Sequence, residues 1–537
     1  MKNSVLTILG TGMLLAAYTI PALALEPTVY PGYCFNKLSP DGTLAVTYAY
    51  GGGGFLNIAT GETTEFGDDF HPGVGNAISL DGKVMGYKPP TETLTYWQNG
   101  EYYEIEDAST HIWSYANGIT PDSKRIVGEV TPDNFEGYEG LMLVPCYWDL
   151  QDDGTYGKTN FLPCPTTDYT GRKPQYITAV CVSDDGKTIC GQVLDYKGAI
   201  AQPIVYTQNA NGEWNYTMLM AEDFKLDENL PPNPGESPLP EDFMSADNRK
   251  DYLAKLSQWW LVNGNAENQD WSTYPDYLDY MNANELAAYE DAETDWLIEF
   301  QRYDNALQRY ENSVPNIGFN DVFVTADGSQ YITCGTYRED NKVIYTPYII
   351  NVADGTYQTF PQDGIRPVLS SVAADGTMLG HYTNKYNIQE AYIMPAGETT
   401  FVPLQDYFAI HNPELAQWMK DNLYHEMYGM EFDPTIEDYI EVPVDGYNTG
   451  IPLTTPDMSL FSLAVDVNWD VDDVLTYGYL FSPGIAGVES LVAEPLDGVY
   501  KVYTLQGVKA LETKDATQID SLAKGIYIVN GKKHIVK

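Results

Sequence analysis

From about residue 30 to residue 484 the chain is written in short alternating runs of apolar and polar residues, separated by a recurring polar corner. Alternation at a period of two marks half-buried strands rather than helices. The corner appears as Leu38-Ser39-Pro40-Asp41-Gly42, Ile78-Ser79-Leu80-Asp81-Gly82 and Ile119-Thr120-Pro121-Asp122-Ser123. It returns as Val182-Ser183-Asp184-Asp185-Gly186, Val324-Thr325-Ala326-Asp327-Gly328 and Val372-Ala373-Ala374-Asp375-Gly376, and more weakly as Leu453-Thr454-Thr455-Pro456-Asp457. Four copies run into an apolar strand closed by glycine: Val84-Met85-Gly86, Ile126-Val127-Gly128, Ile189-Cys190-Gly191 and Met378-Leu379-Gly380. The pattern predicts a two-residue Asp-Gly hairpin turn with positive φ, onto which the preceding Ser or Thr bonds back. The aspartates are therefore turn punctuation, not catalysts.

A second hairpin follows in each unit, as in Leu94–Tyr103 around Asn99-Gly100, Ile204–Tyr206 before Asn211-Gly212, Pro347–Ile350 before Asp354-Gly355, and Leu56–Ile58 before Thr60-Gly61. Two hairpins make four strands, the composition of a propeller blade. The corner aspartates lie 40, 41, 63, 142, 48 and 82 residues apart. The shortest intervals fit a blade of about 40–45 residues, and the longer ones require insertions. The fold expected is all-β: a single β-propeller of about seven four-stranded blades over residues 25–484. The last blade lacks a fourth strand, which Thr28-Val29-Tyr30 can supply, closing the ring and hiding its edges.

Strand alternation puts the Asp-Gly corners and second hairpins on one face, and the 2–3 loops and inter-blade links on the other. The irregular segments belong to the second set. Residues 221–315 open with Leu230-Pro231-Pro232-Asn233-Pro234 and continue as two helices. One starts at Ser245, with Leu253, Leu256 and Trp260 on one side; the other starts near Asn284, with Trp296, Phe300, Tyr303, Leu307 and Tyr310 at helical spacing. Residues 405–450 add a helix capped by Asn412-Pro413, with Leu415, Trp418 and Met419 as its buried stripe. One decorated face and one plain face is how repeat scaffolds carry binding loops.

Composition narrows the partners. Seventy-six acidic against 29 basic residues give a formal charge of −47, a field that repels phosphate and excludes nucleic acid. Residues 1–24 read as a secretory signal: Lys2, the apolar Val5–Ala17 stretch and Ala22-Leu23-Ala24 before the cleavage point. No later run is long enough for a transmembrane helix, and the chain is expected outside the cytoplasm, secreted or at the cell surface. Six cysteines can oxidise there. Cys181 and Cys190 flank one Asp-Gly corner, and Cys146 and Cys164 bracket Asp152-Asp153-Gly154; disulfides and small buried core thiols fit both pairs equally.

Candidate chemistry is sparse. Asp466, Asn468, Asp470 and Asp472 place oxygen atoms at alternate positions, as a calcium loop begins, and calcium is the only cofactor the sequence offers. Val471 stands where such a loop needs glycine and Tyr477 where it needs a bidentate glutamate, and an alternating exposed strand end gives the same pattern. Among the tryptophans of the helical insertions, Trp259 and Trp271 are the candidates for an exposed, ligand-binding platform. There is no His-Glu-x-x-His and no Gly-x-Ser-x-Gly, so no catalytic residue is assigned.

The corners over residues 30–484 resemble those of WD-like and other Asp-Gly-turn β-propellers of bacterial exteriors, a likeness that implies fold rather than function. The Trp-Asp dipeptide does not recur at blade spacing, and the sialidase Ser-x-Asp-x-Gly-x-Thr-Trp box is absent. Residues 485–537 read as a small β-sandwich-like module. Tyr503-Thr504-Leu505-Gln506-Gly507, Leu522-Ala523-Lys524-Gly525-Ile526-Tyr527-Ile528-Val529 and Lys537 resemble the C-terminal sorting domain of Bacteroidetes type IX cargo, with Val508 replacing the usual basic residue. That resemblance implies surface delivery. Two functions stand open: a non-enzymatic exported protein that binds a glycan, peptide or protein through the decorated face, and a glycan- or peptide-hydrolysing propeller using paired carboxylates.

Overall fold

The computed structural model describes residues 27–482 except 50–51, 67–69, 73–76, 89–92, 106–107, 109–110, 112, 132–140, 170, 172, 195–199, 226–230, 233, 236, 264–270, 340–341, 363–366, 434, 436–437 and 468–474. It also describes 500–504, 509–514, 518–519, 525–529 and 532–536. The chain is mostly β, in several antiparallel sheets. Among the described residues the main body divides into seven units of four strands.

Unit one pairs Cys34–Leu38, Leu44–Ala49, Gly52–Asn57 and Glu62–Glu65, and unit two His71–Pro72, Val84–Lys88, Thr93–Gln98 and Glu101–Glu104. Unit three pairs Ser114–Ile119, Arg125–Val130, Val144–Asp149 and Asn160–Phe161. Unit four (Tyr176–Val182, Thr188–Leu194, Ala201–Gln208, Trp214–Met218) and unit five (Asn316–Val324, Gln330–Glu339, Lys342–Asn351, Tyr357–Thr359) join through one pairing of Ala201 with Ile317. Unit six holds Pro367–Val372, Met378–Thr383, Gln389–Met394 and Val402–Pro403. Unit seven begins with one interrupted strand, Asn448–Thr449 and Leu453–Thr454, both paired with Phe461–Val467, which in turn pairs with Leu475–Phe481. Its fourth strand is Thr28–Pro31, from the other end of the chain, in antiparallel register from Thr28↔Leu480 to Pro31↔Tyr477.

The corners hold themselves together. Ser39 N–H donates to Leu44 O at 2.9 Å and Gly42 N–H to Ser39 O at 2.9 Å. Ser39 Oγ donates to Asp41 Oδ1 (2.7 Å) and accepts from Leu44 N–H (2.9 Å), while Asp41 Oδ1 also accepts from Thr43 N–H (3.1 Å). The same hydroxyl–carboxylate lock recurs at Ser79–Asp81, Thr120–Asp122, Ser183–Asp185, Thr325–Asp327 and Thr455–Asp457. The loop is thus four residues long, or three in units two and six, rather than the two expected. The lock satisfies the turn amides from inside, so the aspartate need not adopt positive φ. Only the next residue does: Gly42, Gly82, Gly186, Gly328 and Gly376 at 69° to 93°, and Ser123 and Met458 at 63° and 56°.

Corners of neighbouring units also bond to one another. Leu80 N–H donates to Pro121 O (3.0 Å), Asp184 N–H to Ala326 O (3.0 Å) and Ala374 N–H to Pro456 O (2.8 Å), linking units two to three, four to five and six to seven. Pro40, Pro121 and Pro456 cannot donate in the same way. Gly42 of unit one lies against Thr455 and Leu460 of unit seven.

Three of the four glycines that close the second strands have a steric cause. In units one, three, four, five and six the first strand shifts register, with Asn36, Asn117, Val180 and Ser370 as the extra residues in four of them. The displaced backbone crowds the opposite glycine. A Cβ on Gly128, Gly191 or Gly380 would overlap the carbonyl oxygen of Tyr115, Thr178 or Val368. Gly191→Ala is expected to cost several kcal/mol, about 3 or more, and chemical denaturation of the variant beside wild type measures it.

Both excursions connect the last strand of one unit to the first of the next. Between units four and five run α1 (Ala246–Asn263) and α2 (Ala283–Glu311). Between units six and seven run α3 (Leu404–His411), α4 (Pro413–Asn422) and a hairpin of His425–Asp433 with Asp438–Gly446. Asn412 caps α4 by accepting from Leu415 N–H at 3.1 Å, with Pro413 opening the helix. Leu415 and Met419 pack with Phe461, Leu463 and Phe481, and Trp418 sits at the edge of that cluster. Among the described residues the C-terminal segment forms one four-stranded sheet: Tyr500–Thr504 pairs with Lys509–Thr513 and Gly525–Val529, and Gly525–Val529 with Lys532–Val536.

Candidate functional site

The most exposed concentration of aromatic and aliphatic side chains lies on the helical arm between units four and five. α2 spans 29 residues, about 43 Å at 1.5 Å per residue. Asn282 starts it with a reciprocal capping box to Glu285. Its C-terminal part is the anchor: Tyr303, Leu307 and Tyr310 are buried with Leu219, Phe224 and Val314, and Tyr310 Oη donates to Phe224 O at 2.5 Å. Trp296 and Phe300, expected on the same buried stripe, stack on each other at 4.8 Å, with Phe300 exposed. Toward the other end Tyr289 packs with Phe243 and Tyr277. The arm therefore carries a small aromatic core of its own.

That core orients α1. Tyr252 and Trp259 face inward, not the predicted stripe of Leu253, Leu256 and Trp260. Trp259 is buried, which corrects its expected role as an exposed platform; its Nε1–H donates to Thr273 Oγ1 at 3.1 Å. Around it stand Trp260 (5.0 Å, edge-on), Trp271 (5.0 Å) and Tyr274 (4.9 Å, edge-on). Trp260 is 48% and Trp271 59% exposed, and Leu261 and Val262 continue the patch. Trp259 is the support and Trp260 and Trp271 are the presented rings. Counting aliphatic residues selected the wrong side of the helix, because rings from the following segment decide which tryptophan is covered. A hollow of about 420 Å³ lined by Asp251, Ala254, Lys255, Gln258 and Tyr280 runs along the same helix.

A second locus lies at the foot of the other excursion. Glu390, in unit six, accepts from Asn384 Nδ2 at 3.0 Å. Burial, and the nearby charge of Asp406 on α3, raise its carboxyl above the ordinary value. Tyr424 beside it is pushed up to about 12 by burial and by Glu390, Asp406 and Asp445. The hairpin is strapped over this unit where Met430 N–H donates to Tyr386 O at 2.8 Å, and its Tyr428, Phe432 and Tyr439 are exposed. Sequence reading missed Glu390 because the charge of Asp406 reaches it from a different element.

Asn468, Asp470 and Asp472 lie outside the described residues, and of Asp466 only the backbone is described, opposite Asn448 and Thr476. Cys181 and Cys190 are register partners, both thiols. Cys146 instead faces Gly128 and Phe161, and burial raises the thiols of Cys146 and Cys164, the latter to about 12.

No family profile and no curated protein matches this chain. Among solved structures it is similar to a prolyl endopeptidase at 10% identity, TM-score 0.39, covering 94% of this chain and 58% of that one. It is also similar to TolB from Acinetobacter baumannii at 11% identity, TM-score 0.31, covering 73% and 67%. The chain thus spans less than two thirds of the endopeptidase. Both neighbours are too distant to inform the site.

One buried acid sets a pH dependence for the body. Glu129 is pushed to about 8 by burial, and hydrogen bonds from Asn117 Nδ2 (2.6 Å) and the Ala179 backbone pull it only part of the way back. An acid whose folded pKa lies above its unfolded value favours the fold most when protonated, so its effect on stability worsens as pH rises from about 4.5 to 8. Glu129→Gln is expected to leave stability unchanged near pH 4 and to raise it by about 3–5 kcal/mol at pH 8.5. Denaturant titrations of both proteins across that range measure the difference.

Proposed function

We propose that the chain is an exported, single seven-bladed β-propeller that binds a glycan, peptide or protein outside the cytoplasm through its insertion-bearing face. The observation that carries this reading is the pair of presented rings, Trp260 and Trp271, resting on buried Trp259. Exposed aromatic faces of this kind stack on sugar rings or clamp apolar side chains, and a rigid base lowers the entropic cost of using them. The four-stranded units, the corner contacts that return from unit seven to unit one, and the strand Thr28–Pro31 support the propeller. The leader-like first 24 residues and the sorting-like tail support export. Among the described residues no helix is long and apolar enough to cross a membrane.

Glycan and peptide arrays, together with pull-downs on the mature protein, test this. Trp260→Ala/Trp271→Ala is expected to weaken any captured ligand at least tenfold while leaving the melting temperature within about 2 °C, because neither ring belongs to the buried clusters of the main body. Absence of capture by wild type, or capture unaffected by the double variant, contradicts the reading. Hydrolysis of a glycan or peptide is the second reading, favoured by the raised Glu390 carboxyl beside Asp406. It would show as product released by wild type and not by Glu390→Gln.

A further inference from the structure

The first two strands of unit four carry two cysteines in direct opposition. Cys181 and Cys190 are register partners between Val182↔Ile189 and Ala179↔Gly191. Ser183 N–H donates to Thr188 O at 2.9 Å, and hydrogen-bonded pairs alternate along an antiparallel ladder. Counting two positions back makes Cys181↔Cys190 a hydrogen-bonded pair as well, with Cα atoms about 5.5 Å apart. That spacing is the commonest for a disulfide, about 5.5–6 Å. The side chains also point the same way: Cys190 is buried in the cluster between units four and five, and Cys181 packs against that cluster. They differ in access, since Cys190 is fully buried and Cys181 is only partly buried.

We propose that Cys181 and Cys190 form a disulfide bond, with Cys181 as the entry thiol and Cys190 as the resolving one. The Cys181 sulfur, having lost its proton, attacks a disulfide donor of the low-molecular-weight or thiol-oxidoreductase class and releases one donor thiol. The Cys190 sulfur then displaces the second donor thiol, its own proton leaving with that group. Two thiols are oxidised and one donor disulfide is reduced to two thiols. The bond spans the corner Ser183–Lys187 and so ties the first two strands of unit four beside the root of the helical arm. Cys146 has no cysteine opposite it in its ladder, where its partners are Gly128 and Phe161.

The full-length mature protein, folded and purified under reduction, would be equilibrated in buffers of oxidised and reduced glutathione. After acid quenching, free thiols are blocked with N-ethylmaleimide and the protein is digested for mass spectrometry. The expected result is a linked peptide pair joining Cys181 to Cys190, abolished by dithiothreitol. Cys181→Ser should abolish the link and leave Cys190 fully blocked by the maleimide once the protein is denatured. Either of two results in the wild-type protein overturns the proposal: both cysteines recovered as maleimide adducts at every glutathione ratio, or Cys181 held as a stable mixed disulfide with glutathione. Because the assay uses a defined oxidant, it is independent of whether the chain is exported or binds a ligand.

Discussion

The pairing of Thr28–Pro31 with Leu475–Phe481 is the contact on which the rest of the architecture depends. Without it, unit seven would be three strands wide and both its outer edge and the start of the chain would be unpaired, inviting association through open backbone groups. With it, the first and last units are held at fixed spacing. The inner strand Cys34–Leu38 can then lie against unit seven, as the inner strands of successive units lie against each other. Backbone pairing between segments about 450 residues apart carries a large loop-closure cost. The repeated corner contacts offset it, because each unit is already oriented by its neighbour before the ends meet.

The corners are where sequence and architecture coincide most closely. A hydroxyl, a carboxylate and one residue tolerant of positive φ form a self-contained lock, and the residue between hydroxyl and carboxylate is left to bond with the next unit. Burial would raise Asp81, but hydrogen bonds from Lys83, Ser123 and Ser79 outweigh it and lower it below the usual value. Asp327 is lowered chiefly by Thr325 and Ser329. Groups with depressed folded pKa values stabilise above their unfolded pKa and lose that contribution as pH falls, the opposite sense to Glu129. The body is therefore constrained from the acid side by corner carboxylates such as Asp81 and Asp327, and from the alkaline side by buried acids such as Glu129 and Glu390.

Much of this was legible in the chain. Corner spacing, Asn99-Gly100 as a two-residue turn, Asn412-Pro413 as a cap and the borrowed strand at Thr28–Tyr30 all follow from local chemistry that acts over a few residues. The length of the Asp-Gly corner was misjudged, since a dipeptide signal does not show that a hydroxyl three residues before the glycine supplies an internal partner. The first-strand bulges left a trace in the invariant placement of Gly128, Gly191 and Gly380, but that trace was read as strand ending rather than steric relief. The site was less legible. Which of Trp259 and Trp260 faces solvent depends on Thr273 and Tyr274 beyond the helix, and the proximity of Glu390 to Asp406 depends on α3 folding back onto unit six.

Backbone amide hydrogen exchange read by mass spectrometry on peptides covering 475–481 tests the closed arrangement most directly. If Thr28–Pro31 completes unit seven, these amides should exchange as slowly as those of 461–467, which have strands on both sides. Removing residues 25–33 should speed their exchange selectively. Exchange within seconds in the intact protein, at the rate of an open edge, would contradict the account.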